Sequence, residues 1–393
     1  MTAPPAIPLS RWADAQLEAM AMRTGSDAIA ALRGGTLLGE RAVANGFAVP
    51  GRRSAGGGCR LYDTLDTPVA LTLARADDRA LLPALFGDAT ADDSGDAVIA
   101  ERMARAHACD LVARGRMLGL AIAALDEAPS NPALTIMAKG GAAPVTDRAP
   151  LVIDLTALWA GPLAGHLLGL TGAQVIKVES RNRPDRMREG DPALFARLNQ
   201  GKANIALDLR EPTDRDSLIA LIRRADIVLE AARPRALRQL GIDADQLVRE
   251  TSGLVWVTIT GHGMVGDAAE WIGFGDDCSV AGGLSAALRD ATSAIGFGGD
   301  ACADPLTGIV AARAALDKRA QGVGARLILS MSGVVAQALA EERAQDEATL
   351  IATLTHWKAA QGHLFPAIAL RPTGPVASLG ADNALWFPQH APC

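Results

Sequence analysis

Cysteine is scarce in this 393-residue chain, and none of the five (Cys59, Cys109, Cys278, Cys302, Cys393) forms a C-x-x-C pair. That spacing offers no zinc site, and no metal is expected. The six histidines are dispersed, with no H-E-x-x-H among them. Positive charge is not in excess: 38 Lys and Arg stand against 44 Asp and Glu, a formal net charge of −6. A nucleic-acid partner needs a basic face and is not expected. No uninterrupted apolar run reaches about 18 residues, so no membrane span is expected. MTAPPAIPLSRWADAQLEAM has neither a long apolar stretch nor a cleavage-like site. A cytoplasmic location is the expectation.

Several catalytic signatures are also missing. The turn after the first apolar run of the second half reads TALWAGPLAG, not G-x-G-x-x-G, so the standard dinucleotide fingerprint is absent. No G-x-x-x-x-G-K-[ST] occurs, which excludes a P-loop, and no G-x-S-x-G elbow occurs.

What is present is a globular composition, 49% hydrophobic and 21% charged. Residues 8–45 have apolar positions at helical intervals, with 1–30 read as an N-terminal helical segment. Residues 31–137 read as a small α+β unit. It holds the flexible Gly56-Gly57-Gly58, short strands around Tyr62 and Val69–Leu73, helices over 77–86 and 97–115, and a closing strand at 118–125. AKGGAAPVTDRA (138–149) reads as a linker. From 150 to 393, runs such as LVIDLT, QVIKVE, NIALDL, DIVLE and GLVWVTITG alternate with helical patterns. That alternation predicts an α/β fold, a Rossmann-like, mostly parallel sheet covered on both faces, with ligands at the strands' carboxyl ends.

The chemistry-bearing stretch is FGGDACADPLTGIVAARAALDKRAQGVGARLILSM, residues 297–331, read as loop, helix and strand. Asp304 stands at the helix start, where a carboxylate is either an N-cap or a nucleophile held beside orphan N–H groups. Basic residues stand at three strand ends: Arg181, Arg183, Arg186 and Arg188 just after one strand, Lys202 after Asn199-Gln200-Gly201, and Arg233 and Arg235 after the strand ending at Glu230. They read either as a phosphate-binding convergence or as a solvated rim. His166 reads as a core residue, whereas His262, at a strand end, reads equally as core or as pocket lining.

LVIDLTALWAGPLAGHLLGLTGAQVIKVE, LNQGKANIALDL, IVLEAARPRALRQLGID, VWVTITGHG and GDACADPLTG occur in the order in which similar motifs occur in class III CoA-transferases. The chain resembles that family over about 151–335. SAGGGCRLYDTLDTPVALTLARADDRALLPALFG resembles the family's small domain, which here precedes the core instead of following Asp304. The sequence departs from the family pattern at Ala231, at Lys202-Ala203 and at Leu158-Trp159.

The resemblance implies transfer of CoA between an acyl-CoA and a carboxylic acid, with Asp304 as nucleophile. It implies coenzyme A as co-substrate, held by Trp159, Ala160, Arg181, Asn199, Lys202, Arg233, Gly261 and His262. It further implies Gly56, Gly57 and Gly58 as a lid near Asp304, and a homodimer. An α-methylacyl-CoA racemase and a non-catalytic acyl-CoA-binding protein are the alternatives. The first is disfavoured because GFGDDCSVAGG (273–283) lacks the racemase histidine.

Overall fold

The computed structural model describes residues 6–88, 95–144, 148–233 and 236–387. Short apolar runs form two sheets. The first is antiparallel, in the order β1 (Cys59–Tyr62), β2 (Val69–Thr72) and β3 (Ala121–Ala124). The second has seven strands: β4 (Leu134–Ala142), β5 (Leu151–Asp154), β6 (Gln174–Ser180), β7 (Ala203–Leu207), β8 (Ile227–Glu230), β9 (Val255–Thr260) and β10 (Val323–Ser330). Their order is β4-β10-β9-β8-β5-β6-β7, and every pairing is parallel except β4 with β10. From β5 the chain winds outward through β6 and β7. It then returns to β8 and winds the other way through β9 and β10. The winding direction therefore reverses between β5 and β8, the position where doubly wound sheets open a crevice.

Helices cover both faces. On one side, Ala160–Leu170 and Ala303–Ala320 share an apolar cluster with the N-terminal helices Ser10–Thr24 and Gly34–Ala44 and with Met331–Ala359. Ala160–Leu170 and Ala303–Ala320 approach closely because Gly308 lies at the contact. A Cβ there would sit 2.6 Å from the Ala160 carbonyl oxygen. On the other side, Pro212–Ile222 and Ala244–Glu250 enclose Trp256, which is fully buried.

The small unit has its own core of Tyr62, Leu71, Leu85, Met103, Leu111 and Ile122. It meets the rest of the molecule through Leu61, Ala70 and Ala123, which pack with Val280, Ala281 and Phe297. The single helix expected over 97–115 is two, Asp96–Met103 and Ala108–Met117. Gly34–Ala44 falls within the range read as the small unit, yet its Leu37, Leu38 and Ala42 belong to the large cluster.

The stretch read as a linker from residue 138 is corrected by β4, which runs to Ala142 and pairs with β10. Most of β4 is exposed on both faces, so its sequence carries no buried run to mark it. Residues 145–147 of that stretch lie outside the described residues. The closing segment covers the opposite sheet edge: the Ala206 N–H donates to Asn383 Oδ1 (2.8 Å), and the Asn204 N–H donates to Asp382 Oδ2 (2.7 Å).

Candidate active site

The loops after β5, β8 and β9 converge at the winding reversal and line a cavity of about 440 Å³. Thr156, Leu158, Ala160 and Gly161 come from the first loop, Ala231–Arg233 from the second, and Thr260 and Gly261 from the third. Trp271, Ile272, Gly273 and Phe274 close one wall, and Asp304 and Met331 complete the lining. The first loop is held by a buried ion pair. Lys177 Nζ donates to Asp185 Oδ2 (3.0 Å), and Asp185 accepts the Leu158 N–H (3.3 Å) while Leu158 adopts φ +68°.

Asp304 sits in the first turn of Ala303–Ala320 and does not cap that helix, which corrects the N-cap reading. The cap position is Cys302, and it makes no side-chain capping bond. The Asp304 carboxylate instead accepts the Ala160 N–H across the interface with the neighbouring helix. On its other side lies Gly275, at the start of the short helix Gly275–Ala281. A Cβ at Gly275 would fall 2.2 Å from Asp304 Oδ2, so only glycine admits the carboxylate here.

The electrostatics follow from crowding of acids. Burial pushes the Asp304 carboxyl up to about 7, opposed by Arg41 and assisted by Asp276 and Asp300. Burial, then Asp300, raises Asp276 to about 6, and burial raises Asp277 to about 7. Arg41 is the counter-charge: its Nε donates to Asp300 Oδ2 (2.8 Å), and its Nη2 pairs with Asp300 Oδ1. Asp276 accepts the Ala301 N–H (3.0 Å) and the Ser54 hydroxyl. Cys302, the nucleophile nearest in sequence, is buried beside Ser279, and burial pushes its thiol up to about 12.

The other expected ligands divide. Ala160, Gly261 and Arg233 line the cavity. Arg181 is about half exposed and pairs with Asp214 (3.6 Å). Trp159 is buried under Arg41, whose guanidinium carbon is 5.0 Å from the ring centroid. Arg235 and Cys393 lie outside the described residues.

Lys202 and Asn199 are corrections to the reading as coenzyme ligands. Lys202 Nζ is buried and donates to Asp154 Oδ2 (2.8 Å), the Pro162 carbonyl (2.8 Å) and Asn199 Oδ1 (3.0 Å). Asp154 ends β5 inside the core and draws the lysine inward. Asn199 spends its own N–H on the Phe195 carbonyl (3.0 Å).

His262 is buried edge-on against Trp271 rather than facing the cavity. Burial, then Arg116, lowers its pKa to about 3. With Asp277 and Cys278 it forms the one group of possible metal-binding atoms found among the described residues, all within 4.8 Å of one another. Asp277 is already engaged by Thr72 Oγ1 (2.8 Å) and the Phe274 N–H (3.1 Å), and Cys278 Sγ by the Gly261 carbonyl (3.4 Å).

The glycine loop approaches the acids through Arg41, since a Cβ at Gly56 would lie 3.0 Å from Arg41 Nη2. Gly57 takes φ +77°. Sequence reasoning missed Arg41, Asp276 and Asp300. The available signal was four acids, Asp276, Asp277, Asp300 and Asp304, among small apolar residues. A second cavity, of about 980 Å³, lies beside Ala108–Met117 and shares Arg233, Glu270, Trp271 and Ile272 with the first. Its charged lining is Asp66, Asp126, Glu127, Asp267 and Glu270 against Arg116 and Arg233.

A family model described as CoA-transferase family III matches residues 150–362. The chain is 34% identical over 142 residues to a succinyl-CoA–D-citramalate CoA-transferase of Chloroflexus aurantiacus, covering 34% of this chain and 35% of that one. It is 33% identical over 127 residues to an acetyl-CoA:oxalate CoA-transferase of Acetobacter aceti, covering 31% and 33%. The match spans about a third of the length of these curated relatives. A hypothetical protein from Mycobacterium tuberculosis, known from its crystal structure, superposes with a TM-score of 0.45 at 27% identity, over 55% of this chain and 60% of that one.

Proposed function

This chain belongs to CoA-transferase family III, and from that premise we propose that it moves coenzyme A from an acyl-CoA to a carboxylic acid, with Asp304 as the nucleophile. The observation that carries the reading is a carboxylate that opens into the cavity at the sheet's winding reversal while remaining close to its ionisation midpoint at neutral pH.

Ionised Asp304 attacks the donor thioester carbonyl. The C–S bond breaks, coenzyme A leaves as thiolate, and an aspartyl–acyl anhydride forms. The thiolate then attacks the aspartyl carbonyl, releasing the donor acid and leaving an aspartyl-CoA thioester. The acceptor carboxylate attacks that thioester to give a new anhydride and free thiolate. Attack of the thiolate on the acceptor acyl carbon regenerates Asp304. The activated acyl bond passes from thioester to anhydride and back at each exchange, one thioester is consumed and one formed overall, and no water takes part. The Ala160 N–H and the Gly261 and Gly273 backbone supply polar groups beside the reacting carbon. Arg233 at the cavity wall is suited to a phosphate of the nucleotide. The larger cavity carries five acids against two arginines, the wrong balance for phosphates.

The racemase reading needs an acid and a base on opposite faces of one carbon. His262 is the imidazole at this end of β9, and its burial against Trp271 disfavours that role. Trapping separates the readings: incubation with an acyl-CoA, quenching with hydroxylamine and peptide mass spectrometry yields a hydroxamate at residue 304. Asp304→Asn loses turnover by orders of magnitude with acyl-CoA affinity retained. An active preparation without the adduct, with deuterium entering the substrate α-carbon from D2O, overturns the transferase reading.

A further inference from the structure

Arg41 lies more than a hundred residues ahead of the segment that the family model matches, yet it reaches the acids around Asp304. The helix that carries it, Gly34–Ala44, packs into the large core, so the guanidinium is delivered from a fixed support. It grips the fully buried Asp300 with two nitrogens, lies 5.0 Å from the Trp159 ring centroid, and has Gly56 against its Nη2. Trp159 directly precedes Ala160, whose N–H faces Asp304.

The charges that face Asp304 are few. Asp276, on the helix Gly275–Ala281, and Asp300, in the loop before the Asp304 helix, are both acidic. Asp277, one residue beyond Asp276, is a third acid, spent on Thr72 and the Phe274 N–H. The neighbouring thiols of Cys278 and Cys302 are held neutral by burial. Arg233 and Glu270 lie on the cavity wall as one charge of each sign. Arg41 is therefore the cation that acts on this pit from the buried side.

We propose that Arg41 is a positioning residue that keeps the Asp304 carboxylate ionised and ready to attack, which makes the N-terminal unit a working part of the active site. The inference rests on the reading of Asp304 as nucleophile. Asp276 is already supported by Ser54 and the Ala301 N–H. Asp304 has the Ala160 N–H and the field of Arg41 to set against two neighbouring carboxylates. An opposite charge at close range favours the ionised form, and its removal favours the proton.

The test is the pH dependence of kcat/KM for acyl-CoA in the full chain. Arg41→Gln moves the acidic limb up by about one pH unit or more. The rate at pH 6.5 then falls about tenfold or more, and most of the loss is recovered near pH 9. Arg41→Lys keeps the charge and holds the limb close to its original position. Because Arg41→Gln leaves Asp300 buried without a partner, a second variant, Arg41→Gln with Asp300→Asn, removes one charge of each sign. Its limb returns toward that of the unmodified protein. Equal loss at every pH with an unmoved limb overturns the proposal, as does a double variant displaced as far as Arg41→Gln. Absence of a hydroxamate at residue 304 in the unmodified protein is a separate result and refutes the nucleophile itself.

Discussion

Lys202→Met separates two roles that the sequence leaves open, phosphate ligand and buried counter-ion. The Lys202 side chain is 3% exposed, and all three of its N–H donors are spent within the protein. Methionine matches its length but leaves Asp154, fully buried, without its nearest cation. Removing one partner of a buried pair costs about 3–5 kcal/mol. Lys177 also acts on Asp154, and Thr156 donates to it, which argues for the lower end of that range. Domain stabilities of roughly 5–15 kcal/mol make this a large fraction of the total. At about 2 °C per kcal/mol for a large chain, the melting temperature falls by roughly 6–8 °C. Paired thermal melts and acyl-CoA KM measurements read both roles together, and the KM of the folded fraction is expected to stay within about twofold. Lys202→Met with Asp154→Leu removes both charges and regains most of the lost stability, because a buried pair is replaceable by apolar groups. The reasoning is refuted if Lys202→Met melts with the unmodified protein while KM rises tenfold.

Two further outcomes follow from the acids. Asp304 titrates near 7 in the folded chain against an ordinary value of 3.8, so between those values the folded state holds the extra proton and stability falls as pH rises. Asp304→Asn removes that penalty: it melts higher than the unmodified protein at pH 8, by about 1–3 kcal/mol once partial solvation is allowed for, and the gap narrows to less than half by pH 5 and closes only below the ordinary carboxyl value of 3.8. Equal melting at both pH values refutes the assignment of a raised carboxyl. Gly275→Ala drives a methyl group to 2.2 Å from Asp304 Oδ2 and 2.4 Å from the Ala301 carbonyl. It costs about 1–3 kcal/mol of stability and a far larger share of turnover, checked by melting and steady-state rates on one preparation.

The sheet was legible because β5 to β10 are short, nearly all-apolar runs with helical patterns between them, and Asp304 was legible from its motif. Edge strand β4 was not: LTIMAKGGA is exposed, glycine-rich and lacks the apolar run that marks its neighbours. Lys202 was misread because a basic residue after a helix at a strand end looks like a ligand until the acid inside β5 is seen to draw it in. Asp154 within LVIDLT is that acid, and an unpaired carboxylate in an apolar strand is a signal for a buried cation. Arg41 was invisible for a different reason: its partner Asp300 lies 259 residues away, and no local pattern encodes a contact of that range. The helix Gly275–Ala281 was hidden by its own composition, since GFGDDCSVAGG carries the glycines and acids of a loop.

Strand β4 also limits how far this molecule can be taken apart. A gene fragment trimmed to the segment that defines the family would begin after β4 and leave the flank of β10 bare. Such a flank offers unpaired N–H and C=O groups to any passing chain and invites aggregation. The same cut would remove the helix that neutralises Asp300, leaving a buried carboxylate with no counter-ion. The segment that resembles the family is thus not a separable module, and its boundary in sequence is not a seam in the folded molecule.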